Sequence, residues 1–266
     1  MLIIIAYIGG AMRILLANDD GIYSDGIYEM YKALKEFADV TVVAPITEQS
    51  AVGHAITIAD PLRVTDFFKF GEFFGYGIKG TPADCVKIAL TNIMDEAPDL
   101  IVSGINHGAN VASNVIYSGT VSAATEGAML GIRSIAVSLA TKEKFDFSHA
   151  AQVGAYFAKY LHNSDMPANT VLNINVPALS MKNIKGWRFA VQGNTKFLDT
   201  FEKRRDPRGY SYYWLTGEKK ESDMDENSDD HLVSNGFVSV TPLMFDMTDH
   251  KMYKHLKEKG DEGEFS

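Results

Sequence analysis

The sequence has one cysteine, Cys85, so no disulfide can form within the chain and the core has to hold the fold. That fits a reducing compartment, and a cytoplasmic location is expected. Long apolar runs are also missing. The opening run, residues 1–11 (MLIIIAYIGGA), is shorter than the ~20 residues that span a bilayer. It lacks the positive stretch that opens a signal peptide. It reads as an extension ahead of the first strand, with Met12 a candidate start; an extra edge strand or a tethering tail is the alternative. Positive charge is scarce. Lys and Arg total 25 against 34 Asp and Glu, a formal net charge of -9, which argues against a nucleic-acid partner. A small phosphorylated ligand stays open, because screening acts over about 8 Å and the local site decides. No internal repeat or low-complexity linker is visible.

At 266 residues the chain is long enough for one large domain, or a domain with an appendage, around a sizeable core. The most informative stretch is residues 12–21, MRILLANDDG. The run at 13–17 suits a buried strand and stops abruptly at Asn18, Asp19, Asp20 and Gly21. Adjacent carboxylates at a buried strand end repel each other and resist desolvation. A divalent cation would answer both problems, since hard cations take oxygen ligands. A solvated Asx turn, or the acidic pocket of a phospho-receiver domain, would read the same way.

Along the chain, Ser24 is a candidate N-cap, followed by Ile27, Met30, Tyr31, Leu34 and Phe37 at helical spacing. Residues 39–44 (DVTVVA) predict a second buried strand, and 46–57 a polar loop. Residues 62–79 predict a pair of short strands. Thr81-Pro82-Ala83-Asp84 is a capping box with proline at the first helical position, opening a helix to about residue 94. A third strand is expected at 99–103, ending before Gly104, Ile105 and Asn106. Further helices fall at 118–130 and 147–161, and further strands at 134–139 and 171–176. This alternation predicts an α/β fold: a Rossmann-like, mostly parallel sheet flanked by helices. Past Pro177 the pattern becomes β-rich, with strands at 187–191, 210–215 and 237–240 and no strong helix between them. The expected division is an extension at 1–11, a catalytic core at 12–178, and a β-rich appendage and tail at 179–266 that serves oligomer contacts. A short helix is expected near 247–256, with a frayed end. The acidic run 221–231 (ESDMDENSDDH) misses the glycine and closing glutamate of a calcium loop and reads as solvated.

In an open α/β sheet, ligands bind outside the carboxyl ends of the strands. Asp19 and Asp20 follow the first strand, Ser50 sits in the loop after the second, and Asn106 follows the third. All are oxygen donors, which suits magnesium or manganese better than zinc. Taken singly, Ser50 and Asn106 read equally well as turn residues. Ser118, Gly119 and Thr120 open a helix whose first N–H groups lack partners, which makes either an anion site or a plain N-cap.

These motifs together resemble the SurE family of metal-dependent nucleotidases, the stationary-phase survival proteins. The similarity rests on Asn18-Asp19-Asp20-Gly21, Gln49-Ser50, Gly80-Thr81-Pro82 with Asp84-Cys85-Val86, and residues 103–110 (SGINHGAN). It continues through 117–121 (YSGTV), 173–177 (NINVP), Asp206-Pro207-Arg208-Gly209 and 236–243. The resemblance implies one Mg2+ or Mn2+ per subunit on Asp19, Asp20, Ser50 and Asn106, with Asp19 and Asp20 also catalytic. It implies phosphate or substrate contacts at Asn18, Asn110, Ser118, Gly119 and Thr120. The implied activity is phosphate release from nucleoside 5′-monophosphates, extending to 3′-monophosphates and short polyphosphate, in a homodimer or homotetramer whose appendage exchanges between subunits. Asp246 and His250 resemble an acid–histidine pair of the family and read as a capping or intersubunit contact. With Cys85 in a helix and no nucleophile-elbow serine, attack by a metal-polarised water is the expected chemistry, with an aspartyl-phosphate the rival. A non-catalytic nucleotide or metal sensor is the alternative. A receiver switch would need a lysine after a late strand, and none is evident.

Overall fold

The computed structural model describes residues 11–141, 143, 146–195, 197–219, 225–260 and 263, so the opening extension lies almost wholly outside the described residues. Strand β1 (Met12–Ala17) is buried nearly throughout. Helix α1 (Asp25–Lys35) is capped by the Ser24 hydroxyl, which accepts from the Ile27 N–H. Strand β2 (Ala38–Pro45) follows, then the antiparallel pair β3 (Val64–Lys69) and β4 (Glu72–Ile78). Helix α2 (Pro82–Ile88) starts with the expected capping box, both reciprocal bonds between Thr81 and Asp84 being made. It passes into a π-helical stretch, Ala89–Ile93.

Strand β5 (Leu100–His107) is longer than the sequence suggests. Its register against the next strand slips between Gly104 and Asn106, so Ile105 is bulged and pairing resumes beyond it. Asn106 therefore lies in the strand, not in the loop after it. A single turn α3 (Asn114–Tyr117) leads into α4 (Gly119–Met129), capped by Ser118. Strand β6 (Ser134–Ala140), helix α5 (Ser148–His162) and strand β7 (Val171–Pro177) complete the alternation. Next come β8 (Trp187–Phe189), β9 (Phe197–Arg205), β10 (Ser211–Lys219), α6 (Asp229–Ser234), β11 (Val238–Leu243) and α7 (His250–Lys259).

The nine-stranded sheet runs β3-β4-β2-β1-β5-β6-β7-β11-β8. From β4 to β7 the pairs are parallel. β1 shows why both faces must be covered. Ile14 and Leu16 pack with Ile27, Met30 and Leu34 of α1 and with Phe157 and Leu161 of α5. Leu15 and Ala17 pack on the other face with Cys85 and Val86 of α2 and Ala123 of α4. The α/β class expected from the sequence is thus realised. β1 lies between β2 and β5, so the strand order reverses there, and this is where a doubly wound sheet opens a crevice.

Residues past Pro177 divide. β11 pairs antiparallel with β7 and carries β8 at the sheet edge. β9 and β10 form a separate antiparallel hairpin, turned at Asp206-Pro207-Arg208-Gly209, where the Asp206 carboxylate accepts from the N–H of Arg208 and Tyr210. β9 escaped the sequence reading because its second half is charged. Two expectations need correction. A helix, α6, does occur in this region, and the acidic run is not a solvated loop throughout, since Asp229 and Asp230 at its end are buried. Residues 221–224 lie outside the described residues.

The packing makes one position intolerant. A Cβ on Gly26 at the start of α1 would lie 2.2 Å from the carbonyl oxygen of the bulged Ile105. Gly26→Ala is expected to destabilise the protein by about 1–3 kcal/mol in chemical denaturation. Wild-type stability would show that α1 can shift away freely.

Candidate metal and phosphate site

The crevice at the carboxyl ends of β1, β2 and β5 has a volume of about 370 Å3, within the range of small-ligand sites. Asp20, Ser24, Asp25, Gly26, Glu48, Ser50, Asn106, His107 and Phe147 line it. No Lys or Arg is among them, although three carboxylates are. Asp20 accepts from the His107 N–H at 3.2 Å. Burial, and then the charge of Asp19, push the Asp20 carboxyl up to about 6. Ser50 Oγ donates to Glu48 Oε1 at 2.5 Å. Asn106 Nδ2 donates to the Gly108 carbonyl at 2.7 Å, which leaves Oδ1 as the atom it can offer a ligand.

Asp19 lies behind this lining and is only 6 % exposed. Its carboxylate takes the Thr120 hydroxyl, and its pKa is raised by burial despite that bond. A Cβ on Gly119 would come within 2.7 Å of Asp19 Cβ, so the tip of α4 rests directly on Asp19. The structure thus brings Asp20, Ser50 and Asn106 to one crevice and sets Asp19 between it and α4. Ser118 and Thr120 do not line the crevice. Ser118 Oγ accepts from the Val121 N–H, and Thr120 serves Asp19.

The other candidates are placed differently. Asn18 is fully buried, and its Nδ2 donates to the Gly21 carbonyl at 3.0 Å and to Ser24 Oγ at 2.9 Å, bracing the acidic turn. The Asn110 side chain turns away into the sheet. Its Nδ2 donates to Ser138 Oγ, and its backbone is held by Asn173 and Asn175. The Asp246–His250 pair is exposed at the start of α7, 2.8 Å apart and outside the crevice lining. Hydrogen bonds from Thr248, then from His250, pull the Asp246 carboxyl down to about 2.

Sequence reasoning missed the groups that hold the Ser50 loop. Glu126 of α4 is buried and pairs with His54 at 2.8 Å and Lys87 at 2.6 Å. Burial alone would raise its carboxyl, but bonds from His54 and Lys87 hold it below the usual range. Gln49 N–H donates to the Asp19 carbonyl, Gly53 N–H to the Tyr117 carbonyl, and Thr57 to Asp84. Glu48 carries no motif of its own. Its place in the crevice comes from this pinned loop.

Two carboxylates, a hydroxyl and a carboxamide fit a hard divalent cation. Among the described residues no group of three or more His, Cys, Asp or Glu converges as a metal cluster. The fold and site define a doubly wound α/β protein with an acidic, oxygen-lined crevice at its switch point.

The family model described as "Survival protein SurE" matches residues 14–199. A relative from Syntrophobacter fumaroxidans bearing the name "5'-nucleotidase SurE" is 49% identical, over 92% of this chain and 98% of its own. One of the same name from Syntrophus aciditrophicus is 48% identical, over 92% and 93%. The crystal structure of the SurE protein from Aquifex aeolicus superposes with a TM-score of 0.81 at 40% identity, covering 94% of this chain and 100% of the other. The chain belongs to the SurE family.

Proposed function

We propose that the chain is a metal-dependent 5′-nucleotidase, a phosphoric monoester hydrolase acting on nucleoside monophosphates. The observation that carries this reading is the pair Asp19 and Asp20 at the switch-point crevice, with no Lys or Arg in its lining. The relatives' name supplies the substrate class. Asp19, Asp20, Ser50 and Asn106 would hold one Mg2+ or Mn2+ per subunit. Such a cation offsets phosphate charge and lowers the pKa of water. The α4 tip orients Asp19 and would turn the positive end of its helix dipole toward the phosphoryl group. Ser118–Thr120 would act through this helix end rather than through their hydroxyls, which serve the cap and Asp19, with Asn18 and Asn110 as braces. Water would attack phosphorus as the P–O bond to the nucleoside breaks, with Asp20 or Asp19 taking the water's proton and the ester oxygen leaving as the nucleoside hydroxyl after protonation from solvent. 3′-Monophosphates and short polyphosphates offer the same phosphoryl end and belong to the proposed range.

We assign the β9–β10 hairpin to contact with a second copy of the chain, in a dimer or tetramer. Phe201, Tyr213, Trp214 and Leu215 on it are exposed, an apolar surface of the kind buried in subunit contacts. The remaining core and this appendage would then be the two working units. Among the described residues no helix is long and apolar enough to cross a membrane. A reducing cytoplasm is proposed because a single cysteine allows no disulfide within the chain.

The test is a panel of nucleoside 5′- and 3′-monophosphates and polyphosphates with Mg2+ or Mn2+, with and without a chelator. Phosphate release that stops on chelation and returns with added metal is expected. No release from any nucleotide would leave a non-catalytic sensor. With a monophosphate made chiral by oxygen isotopes, one in-line attack by water inverts phosphorus; net retention would replace direct attack with an aspartyl-phosphate.

A further inference from the structure

Asp229, at the start of α6, is fully buried at 0 % exposure. Its carboxylate is used on backbone N–H groups from three parts of the chain: Ala112 at 3.1 Å, Gly193 at 2.9 Å and Asp230 at 2.8 Å. The carbonyl of Ala112 is held as well, by Gln192 Nε2 at 2.8 Å. Both polar groups of one residue are therefore gripped by the C-terminal region. Ala112 needs that grip, because its φ of 51° is in the left-handed region that a Cβ disfavours.

Ala112 stands midway in the segment that joins Asn106 to the tip of α4. Apart from the single turn α3, the segment has no regular structure to fix its path. Packing alone would be served by an apolar side chain. What a buried carboxylate adds is a directional hold on several donors at once. Gln192 and Gly193 lie just before β9, and Asp229 lies after β10, so both roots of the hairpin converge on Ala112. The roots are tied to each other, with Asp229 N–H donating to the Val191 carbonyl at 2.9 Å and Thr195 hydroxyl to Asp230.

We propose that Asp229 is a positioning residue for the phosphate crevice: it clamps Ala112, and so sets where Asn106 and the tip of α4 stand relative to each other. The proposal rests on the crevice being a phosphate site. Because the clamp is built from the hairpin's roots, it ties the hairpin to the segment that leads to the α4 tip.

The test uses the full chain and two variants, Asp229→Asn and Gln192→Met. Asp229→Asn keeps the shape but turns an amide N–H2 toward backbone donors. Gln192→Met removes one donor from an exposed side chain. Binding of inorganic phosphate is measured by calorimetry in the presence of Mn2+, Mn2+ affinity by its paramagnetic signal, and kcat and KM on a nucleoside monophosphate. Phosphate affinity is expected to fall about tenfold or more in Asp229→Asn and about threefold in Gln192→Met, with Mn2+ affinity held within about threefold by Asp19 and Asp20. A merely structural role would lower the melting midpoint and leave phosphate affinity and kcat of the folded protein unchanged, and that result overturns the proposal. If Asp229→Asn does not fold, unchanged phosphate affinity in Gln192→Met overturns it. If wild type hydrolyses no nucleotide, yet both variants weaken phosphate binding, the clamp stands and the nucleotidase reading falls.

Discussion

Asp20→Asn, alone or with Asp19→Asn, is expected to lower nucleotidase kcat by ~10³-fold or more, because a neutral amide gives up the charge that holds the cation. The fold should survive, and in metal-free protein it should become more stable. The sign follows from the direction of the shift. Burial and Asp19 raise the Asp20 carboxyl to about 6, above its ordinary 3.8. Folding therefore disfavours the ionised form, and the penalty grows as pH rises from the unfolded value through 6, then levels off. Removing the charge relieves about 1–2 kcal/mol at neutral pH, after allowing for partial exposure. The gain should vanish below about pH 4. Denaturant melts of wild type and variant with chelator, at several pH values, check this. A fully active double Asn variant would remove Asp19 and Asp20 from the site.

The second large effect comes from a residue with no side chain. Gly119 opens α4, and a Cβ there would sit 2.7 Å from Asp19 Cβ, 2.9 Å from Asp19 Oδ2 and 3.1 Å from Pro82 Cγ. Asp19 Cβ sits just past the end of β1, so α4 is what must move. Gly119→Val is expected to cut kcat/KM by about 10²-fold or more, since displacements near 1 Å have that effect at a reacting centre. Stability should drop by about 1–3 kcal/mol. Kinetics and calorimetry on one preparation separate the two losses. Wild-type kinetics in a folded Gly119→Val protein would show that the contact between the α4 tip and Asp19 has no part in turnover.

Much of the architecture was legible in the chain. The Ser24 cap, the Thr81–Asp84 box and the buried runs of β1, β2, β6 and β7 are local signals that packing reinforced. Asp20, Ser50 and Asn106 do meet at one crevice. Asn110 was placed at a ligand, yet its carboxamide faces Ser138. A polar side chain in a loop does not announce which way it points. Asp229 was hidden for the opposite reason. A run of acids reads as solvated, and backbone donors from Ala112, Gly193 and Asp230 make its burial tolerable. Glu126 likewise depends on His54 and Lys87, which approach it from separate segments.

By itself, then, the amino-acid order determined the alternation of strands and helices, the buried strand that ends in two acids, and the oxygen donors at strand ends. Periodicity, caps and turns act between residues a few positions apart, so they leave marks along the chain. Tertiary structure alone decided that β1 lies between β2 and β5, that α4 presses on Asp19, and that the hairpin roots grip Ala112. Those pairings join residues far apart in sequence, and their energy comes from burying and satisfying groups together, a condition no single stretch can signal.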